Sequence, residues 1–195
     1  MRKARICLWF SMAAAASFLF ACTGGKQKPC EEGVKDSIAG ALPDTAFYGH
    51  LGEGTGMSCL ELVTDGGDTL VLNKTDERTG DLGRILGEIA NYTDRYAITT
   101  CDDNQSVCVA LNISQMLQKK WQSDTDRQRG FRLEADGKAY SLSGKRVYKG
   151  WSLCNCDLVL AQEVGSDTLA VLELSPDSLV LQGRKGGEIE VFHSI

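Results

Sequence analysis

Gly130-Phe131-Arg132-Leu133-Glu134-Ala135-Asp136-Gly137-Lys138-Ala139-Tyr140-Ser141-Leu142-Ser143 is the stretch whose reading decides the fold. Apolar and polar residues alternate from Phe131 to Ala135, the period of a strand with one buried face. Lys138 to Ser143 reads as the returning strand. Asp136-Gly137 between them is a turn pair, because Gly accepts the positive φ that a two-residue hairpin loop demands. The segment is read as a β-hairpin. Val147–Trp151, Leu153–Gln162, Thr168–Leu174, Leu179–Gln182 and Glu188–His193 follow as short runs divided by turn residues. That spacing predicts an antiparallel meander that curls or closes.

Working upstream, Ile113–Trp121 is read as a helix capped by Ser114, with Met116, Leu117 and Lys120 at helical spacing. The charged Ser123–Gly130 segment is a loop. Earlier still, Met57–Thr64 and Thr69–Asn73 flank Asp65-Gly66-Gly67-Asp68 and predict a hairpin, with Leu60, Leu62, Leu70 and Leu72 on one face. Leu82, Ile85, Leu86 and Ile89 predict a short amphipathic helix over 81–89. Asp94–Cys101 and Val107–Ile113 predict a second hairpin around Asp102-Asp103-Asn104. Three strands, a helix and two strands is the order of an OB-type barrel.

The opening residues carry an address. Arg2, Lys3 and Arg5 precede an apolar run from Ile6 to Phe20, too short to span a hydrocarbon core of about 30 Å. This is the pattern of a secretory leader. Leu19-Phe20-Ala21-Cys22 resembles the lipobox of bacterial lipoproteins. The resemblance implies cleavage before Cys22 and attachment of lipid to its sulfur, so that the chain is anchored to the cell outer membrane, on either its periplasmic or its surface face. Residues 1–21 are then the signal peptide and 22–43 a polar, Gly-containing tether. Without the leader the chain has 195 − 21 = 174 residues and a formal charge of 18 − 26 = −8. It has no basic run to follow phosphates, so nucleic acid is not expected as a partner.

Six further cysteines belong to the body: Cys30, Cys59, Cys101, Cys108, Cys154 and Cys156. An exported chain places them where disulfides form. Cys101 and Cys108 both point away from the face carrying Tyr96, Ile98, Val109 and Leu111. A cross-strand Cys101–Cys108 bond is therefore expected, in a non-hydrogen-bonded register that brings the Cβ atoms together. Cys59 opposes Leu60 and Leu62, and Cys30 in the tether is its candidate partner. On a regular strand Cys154 and Cys156 share a face with Leu158 and Leu160. Three readings of that pair stay open: a soft-metal site, a strained disulfide, or buried small apolar groups.

Trp121, Gly130–Ala139, Tyr148, Trp151, Leu158–Leu160 and Leu174–Leu181 together look like the lipocalin-like domains of Bacteroidetes lipoproteins, over roughly Met116 to the end. Gly56-Met57 through Leu62, Gly67–Leu70 and Asp94–Ala97 look like the module that often precedes that domain. The pairing also resembles the NlpE-type copper-resistance and surface-sensing lipoproteins, with module order reversed. The expected fold class is mainly β: two small antiparallel modules, an OB-like barrel over 44–113 and a lipocalin-like meander barrel over 114–195, joined by a short helix.

The residues point away from an enzyme. His50 and His193 read as surface or strand-end residues, and there is no Gly-x-Ser-x-Gly and no recognisable carboxylate pair. Gly52–Gly56 precedes a strand with no following Lys, so it is a turn and not a phosphate loop. No cofactor is expected, and the only metal candidates are Cys154 and Cys156. The expected function is non-enzymatic binding of a small apolar ligand or an envelope partner. The alternatives are an NlpE-like stress, copper or redox sensor and an accessory module of a surface complex. If the barrel lacks a cavity, Phe131, Leu133, Leu172 and Leu174 are the residues expected to fill it.

Overall fold

The computed structural model describes residues 43–101, 104–117, 119–143, 147–184 and 186–195. The expected leader, Cys22, Cys30 and all of the tether except Pro43 lie outside the described residues. Among the described residues no helix is long and apolar enough to cross a membrane.

The chain is mainly β, with two antiparallel sheets joined by one short helix. The first sheet contains β1 (Phe47–Leu51), β2 (Cys59–Thr64), β3 (Thr69–Asn73), β4 (Arg84–Leu86), β5 (Arg95–Cys101) and β6 (Ser106–Asn112), in the order β3-β2-β1-β5-β6-β4. A parallel bridge, Asn73 to Ser106, links β3 back to β6. Antiparallel β1–β5 pairing and parallel β3–β6 closure are the connections of an OB-type barrel. Its interior holds Leu51, Leu60, Leu62, Leu72, Tyr96, Ile98, Val107 and Ala110.

The helix expected over 81–89 is absent. Arg84–Leu86 instead pairs in parallel with Val109–Leu111 of β6. The reason is contact with β6: a Cβ at Gly83 would lie 2.3 Å from the Val107 carbonyl oxygen, so only a glycine permits this approach. Gly87 then turns away at φ +92°. The apolar spacing that suggested a helix belongs to separate destinations. Leu86 enters the core between the sheets, Ile85 packs on the OB-type interior, and Leu82 is exposed.

The linking helix is also shorter than expected. α1 covers Ile113–Met116 only, and its cap is Asn112, whose side chain accepts from the Gln115 N–H, rather than Ser114. Trp121 lies beyond it on a strand, fully buried, with its indole N–H donated to the Met116 carbonyl at 3.0 Å.

The second sheet runs β7 (Lys120–Ser123), β8 (Gly130–Leu133), β9 (Ala139–Ser141), β10 (Tyr148–Cys154), β11 (Asp157–Gln162), β12 (Ser166–Leu174), β13 (Ser178–Gly183) and β14 (Ile189–Ser194). Neighbours in sequence pair antiparallel, and β14 returns to pair with β7. The ladder is interrupted between β9 and β10, where Tyr148 N–H reaches the Ser141 hydroxyl. The result is a nearly closed eight-stranded up-and-down barrel.

Residues 153–162, expected as one strand, are divided. Asn155 and Cys156 both have positive φ, +51° and +65°, and form a two-residue turn between β10 and β11. Parity across 154–160 therefore fails, and Cys154 and Cys156 do not share a strand face.

The two sheets share a core. Leu86, Ala97, Leu111, Ile113 and Met116 from the first side form one buried cluster with Trp121, Leu153, Cys156, Leu158, Leu174 and Leu179 from the second. Strands β5 and β6 thus bury both faces: Tyr96 and Ile98 point into the OB-type interior, Ala97 toward the neighbouring barrel.

Candidate functional site

The second barrel has two unlike ends. Its lower end, with the 155–156 turn and the β12–β13 turn, packs on the first sheet. Arg84 donates to the carbonyls of Val171 and Leu172, and Gly87 N–H donates to Leu174. The upper end is open. There a cleft of about 740 Å³ is lined by residues from the β7–β8 loop, β10, β12, β13 and the start of β14.

The floor of the cleft is apolar. Tyr148, Leu169 and Leu181 line it and are buried. Beneath Tyr148 an aromatic row fills the barrel: Phe131 meets Tyr148 edge-on at 6.2 Å, and Phe192 lies 5.2 Å from Phe131. Phe131, Leu133 and Leu174 are buried as interior filling, whereas Leu172 is only half-buried. Leu172 is the extra residue of a bulge between Val171 and Glu173 opposite β13, which turns it out of the interior. Filling and cavity therefore coexist, one below the other.

The rim is polar. Arg129 pairs with Glu190 and lies 6.0 Å over the Phe192 ring. Arg129 Nε is buried and finds no hydrogen-bond partner among the described residues. Asp126, Asp167 and Glu188 complete the charged part of the rim. Gly130 sits where a Cβ would meet the Trp121 carbonyl at 2.7 Å, so this first residue of β8 must be small. The rim residues come from separated loops, and the only sign of them in the sequence is the charged 123–130 segment.

The cysteines resolve differently. Cys101 and Cys108 are joined as a disulfide with Cα atoms 5.3 Å apart. They come together through a bulge: Thr100 faces Val107 but Thr99 faces Val109, leaving Cys108 as the inserted residue. The expected plain register is replaced by this bulge. Val109 and Leu111 face the second barrel while Ala110 faces the OB-type interior, so the parity first inferred for β6 is reversed.

Cys59 is a free, half-buried thiol whose contact is the Gly54 carbonyl, so the expected Cys30–Cys59 bond is not formed. Cys156 is also free; it is buried and donates to the Ala97 carbonyl at 3.4 Å. Burial pushes its thiol up to about 12. Cys154 is disulfide-bonded. Of the three readings open for this pair, a Cys154–Cys156 bond and a two-thiolate metal site are both ruled out, since Cys154 is bonded and Cys156 is a free, buried thiol. Among the described residues no group of three or more His, Cys, Asp or Glu side chains gathers to hold a metal ion.

A buried carboxylate ties the ends of this junction together. Asp44 accepts from Tyr48 Oη at 2.6 Å, from Ala46 N–H at 3.1 Å and from Asn155 N–H at 2.9 Å. Burial first, and then the hydrogen bond to Asp44, raise the Tyr48 phenol well above its ordinary value. His50 and His193 are exposed and separate. His50 Nδ1 approaches the Asp94 carbonyl, and His193 Nε2 lies 2.9 Å from Asp124. His193 is on β14 between β13 and β7, away from the β10–β11 turn.

No protein-family model matches this chain, and comparisons with curated proteins and with solved structures return no match.

Proposed function

We propose that this chain is a lipid-anchored cell-envelope lipoprotein, tethered to the outer membrane through Cys22, whose second barrel binds a small, mainly apolar molecule at its open end. The observation that carries the binding reading is the cleft of about 740 Å³ above a filled barrel floor. Sites for small molecules occupy about 300–1,000 Å³ and combine apolar walls with a few placed polar groups. Tyr148, Leu169 and Leu181 supply the wall, and Arg129 with its unpartnered Nε supplies a donor for a carbonyl or carboxylate. The lipobox resemblance supports the anchor. The lipocalin-like resemblance of Trp121, Gly130–Ala139, Tyr148 and Leu174–Leu181 supports a carrier role without chemistry of its own.

A fluorescent fatty-acid probe tests the reading. Titration of the full chain is expected to give saturable binding with one site. Leu169→Trp, which fills the floor, is expected to weaken it at least about tenfold, since a lost apolar pocket is worth about 1.4 kcal/mol or more. Val63→Trp, on the outer face of β2, serves as the control for a bulky substitution. Non-saturable binding by the folded wild type would sink the carrier reading and favour an accessory interaction module.

A further inference from the structure

The tyrosines of the interior use their hydroxyls unequally. Half-buried Tyr48 donates from Oη to Asp44 at 2.6 Å, and buried Tyr96 donates to the Glu88 carbonyl at 2.9 Å. Tyr148 is only 5% exposed, yet its hydroxyl has no hydrogen-bond partner among the described residues. A buried phenol ordinarily finds one, because an unmet O–H forfeits the bond it makes to water in the unfolded chain. Tyr148 is also held firmly. Its N–H donates to the Ser141 hydroxyl at 3.0 Å, it pairs with Gln162 of β11, and its ring meets Phe131 edge-on at 6.2 Å. The side left open is the cleft it lines, where Leu169 and Leu181 are its floor neighbours. Tyr148 thus brings the one polar side chain to an otherwise aliphatic floor.

We propose that Tyr148 anchors the bound molecule by donating its hydroxyl to a carbonyl oxygen. The inference rests on the reading of the cleft as a ligand site, and it names the group that the ligand must carry. Arg129 points to the same chemistry. It lines the cleft and stands over Phe192, at the other end of the row Tyr148–Phe131–Phe192. Its buried Nε has no partner among the described residues. A phenol can donate or accept, whereas a guanidinium N–H only donates, so a group that uses both must be an acceptor. A carbonyl oxygen, with two lone pairs, meets that demand; an ammonium or an alkyl end does not.

The ligand class is therefore a compact ketone, ester, amide or fatty acid. It lies with its carbonyl turned to the floor and its carbon skeleton against Leu169 and Leu181. A hydrocarbon of the same shape fills the floor equally well but leaves the Tyr148 hydroxyl covered and unmet. A site built to hydrogen-bond one atom discriminates against the analogue that lacks it. Tyr148 is then the specificity-determining residue, and Leu169 and Leu181 supply affinity without choosing between the two.

A cycle of two probes and two proteins tests this. The probes are Prodan, a dimethylaminonaphthalene carrying a propionyl ketone, and its propyl analogue, in which the carbonyl is a methylene. The proteins are the full chain and Tyr148→Phe, which keeps the ring against Phe131; circular dichroism and the urea midpoint check its fold. Dissociation constants come from fluorescence anisotropy. The preference for Prodan over the propyl analogue is expected to fall about fivefold in Tyr148→Phe, the worth of one buried neutral hydrogen bond. Bound Prodan is also expected to emit further to the blue in the variant, because its carbonyl loses a donor. An unchanged preference overturns the anchor and leaves the cleft reading standing, even if both probes weaken together. Failure of both probes to saturate the folded wild type overturns the cleft reading and the anchor with it.

Discussion

At the scale of single residues, Cys156 shows how position overrides type. It occupies the second position of a two-residue turn, a place ordinarily exposed, yet its sulfur is buried against the backbone of β5. Its thiol stays protonated to about 12, whereas in the unfolded chain it titrates near the ordinary 9.0. The sign follows directly. Below pH 9 both states hold the proton and stability is unaffected; above it the unfolded state sheds its proton first, and stability falls as pH rises toward 12. Between pH 8 and pH 10 the loss from this group is about 1.4 kcal/mol. Unfolding free energies from urea titrations at those two pH values are expected to draw apart in wild type and to lie closer by about that amount in Cys156→Ala. Equal pH dependence in the two proteins would show that the thiol is not buried as described. Tyr48 and Tyr96 are also raised by burial, Tyr96 to about 12, and contribute only at higher pH.

At the scale of elements, β4 and the β6 bulge reveal why patterning misled. Three or four apolar residues at helical spacing are also what a short strand and its flanks present when each side chain faces a different neighbour. Backbone contact decided the matter at Gly83. Gly83→Ala is expected to push β4 off β6 and cost about 2 kcal/mol or more, because the opposing atom is a main-chain oxygen that cannot rotate away. Chemical denaturation of this variant measures it; a loss under about 0.5 kcal/mol, the range of neutral surface changes, would contradict the close approach. The bulge at Cys108 is the parallel lesson in β6. One inserted residue reversed the parity of Val109 and Leu111 and still placed Cys108 beside Cys101.

At the scale of the whole molecule, the two sheets are not separate beads. Leu86, Ala97, Leu111, Ile113 and Met116 would face water if the second barrel were removed. Asp44, Tyr48, Asn155 and Leu153 add polar ties across the same junction. Unfolding of the full chain is therefore expected to follow one cooperative transition in urea, with far-ultraviolet circular dichroism and tryptophan fluorescence coincident. Trp121 and Trp151 both report from the second barrel, while circular dichroism reports both sheets. Two separated transitions would show that the junction contributes little. The same junction packs against one end of the second barrel, and the cleft lies at the other end.

The sequence by itself determined the β class, the hairpin at Asp136-Gly137, the meander that follows and, through their short separation, the pairing of Cys101 with Cys108, though not the bulge that brings them together. These rest on local rules: period-two alternation, turn residues that accept positive φ, and short separations along the chain. It also carries the reading of Leu19–Cys22, which lies outside the described residues. Only the tertiary structure decided that 81–89 is not a helix, that Cys154 and Cys156 part company at a turn, and that Cys59 is free. It alone gathered Arg129, Tyr148, Leu169, Leu181 and Glu190 around one cleft. Those outcomes depend on contacts between residues tens of positions apart, where a carbonyl, a bulge or a neighbouring sheet outweighs the preference of any short stretch.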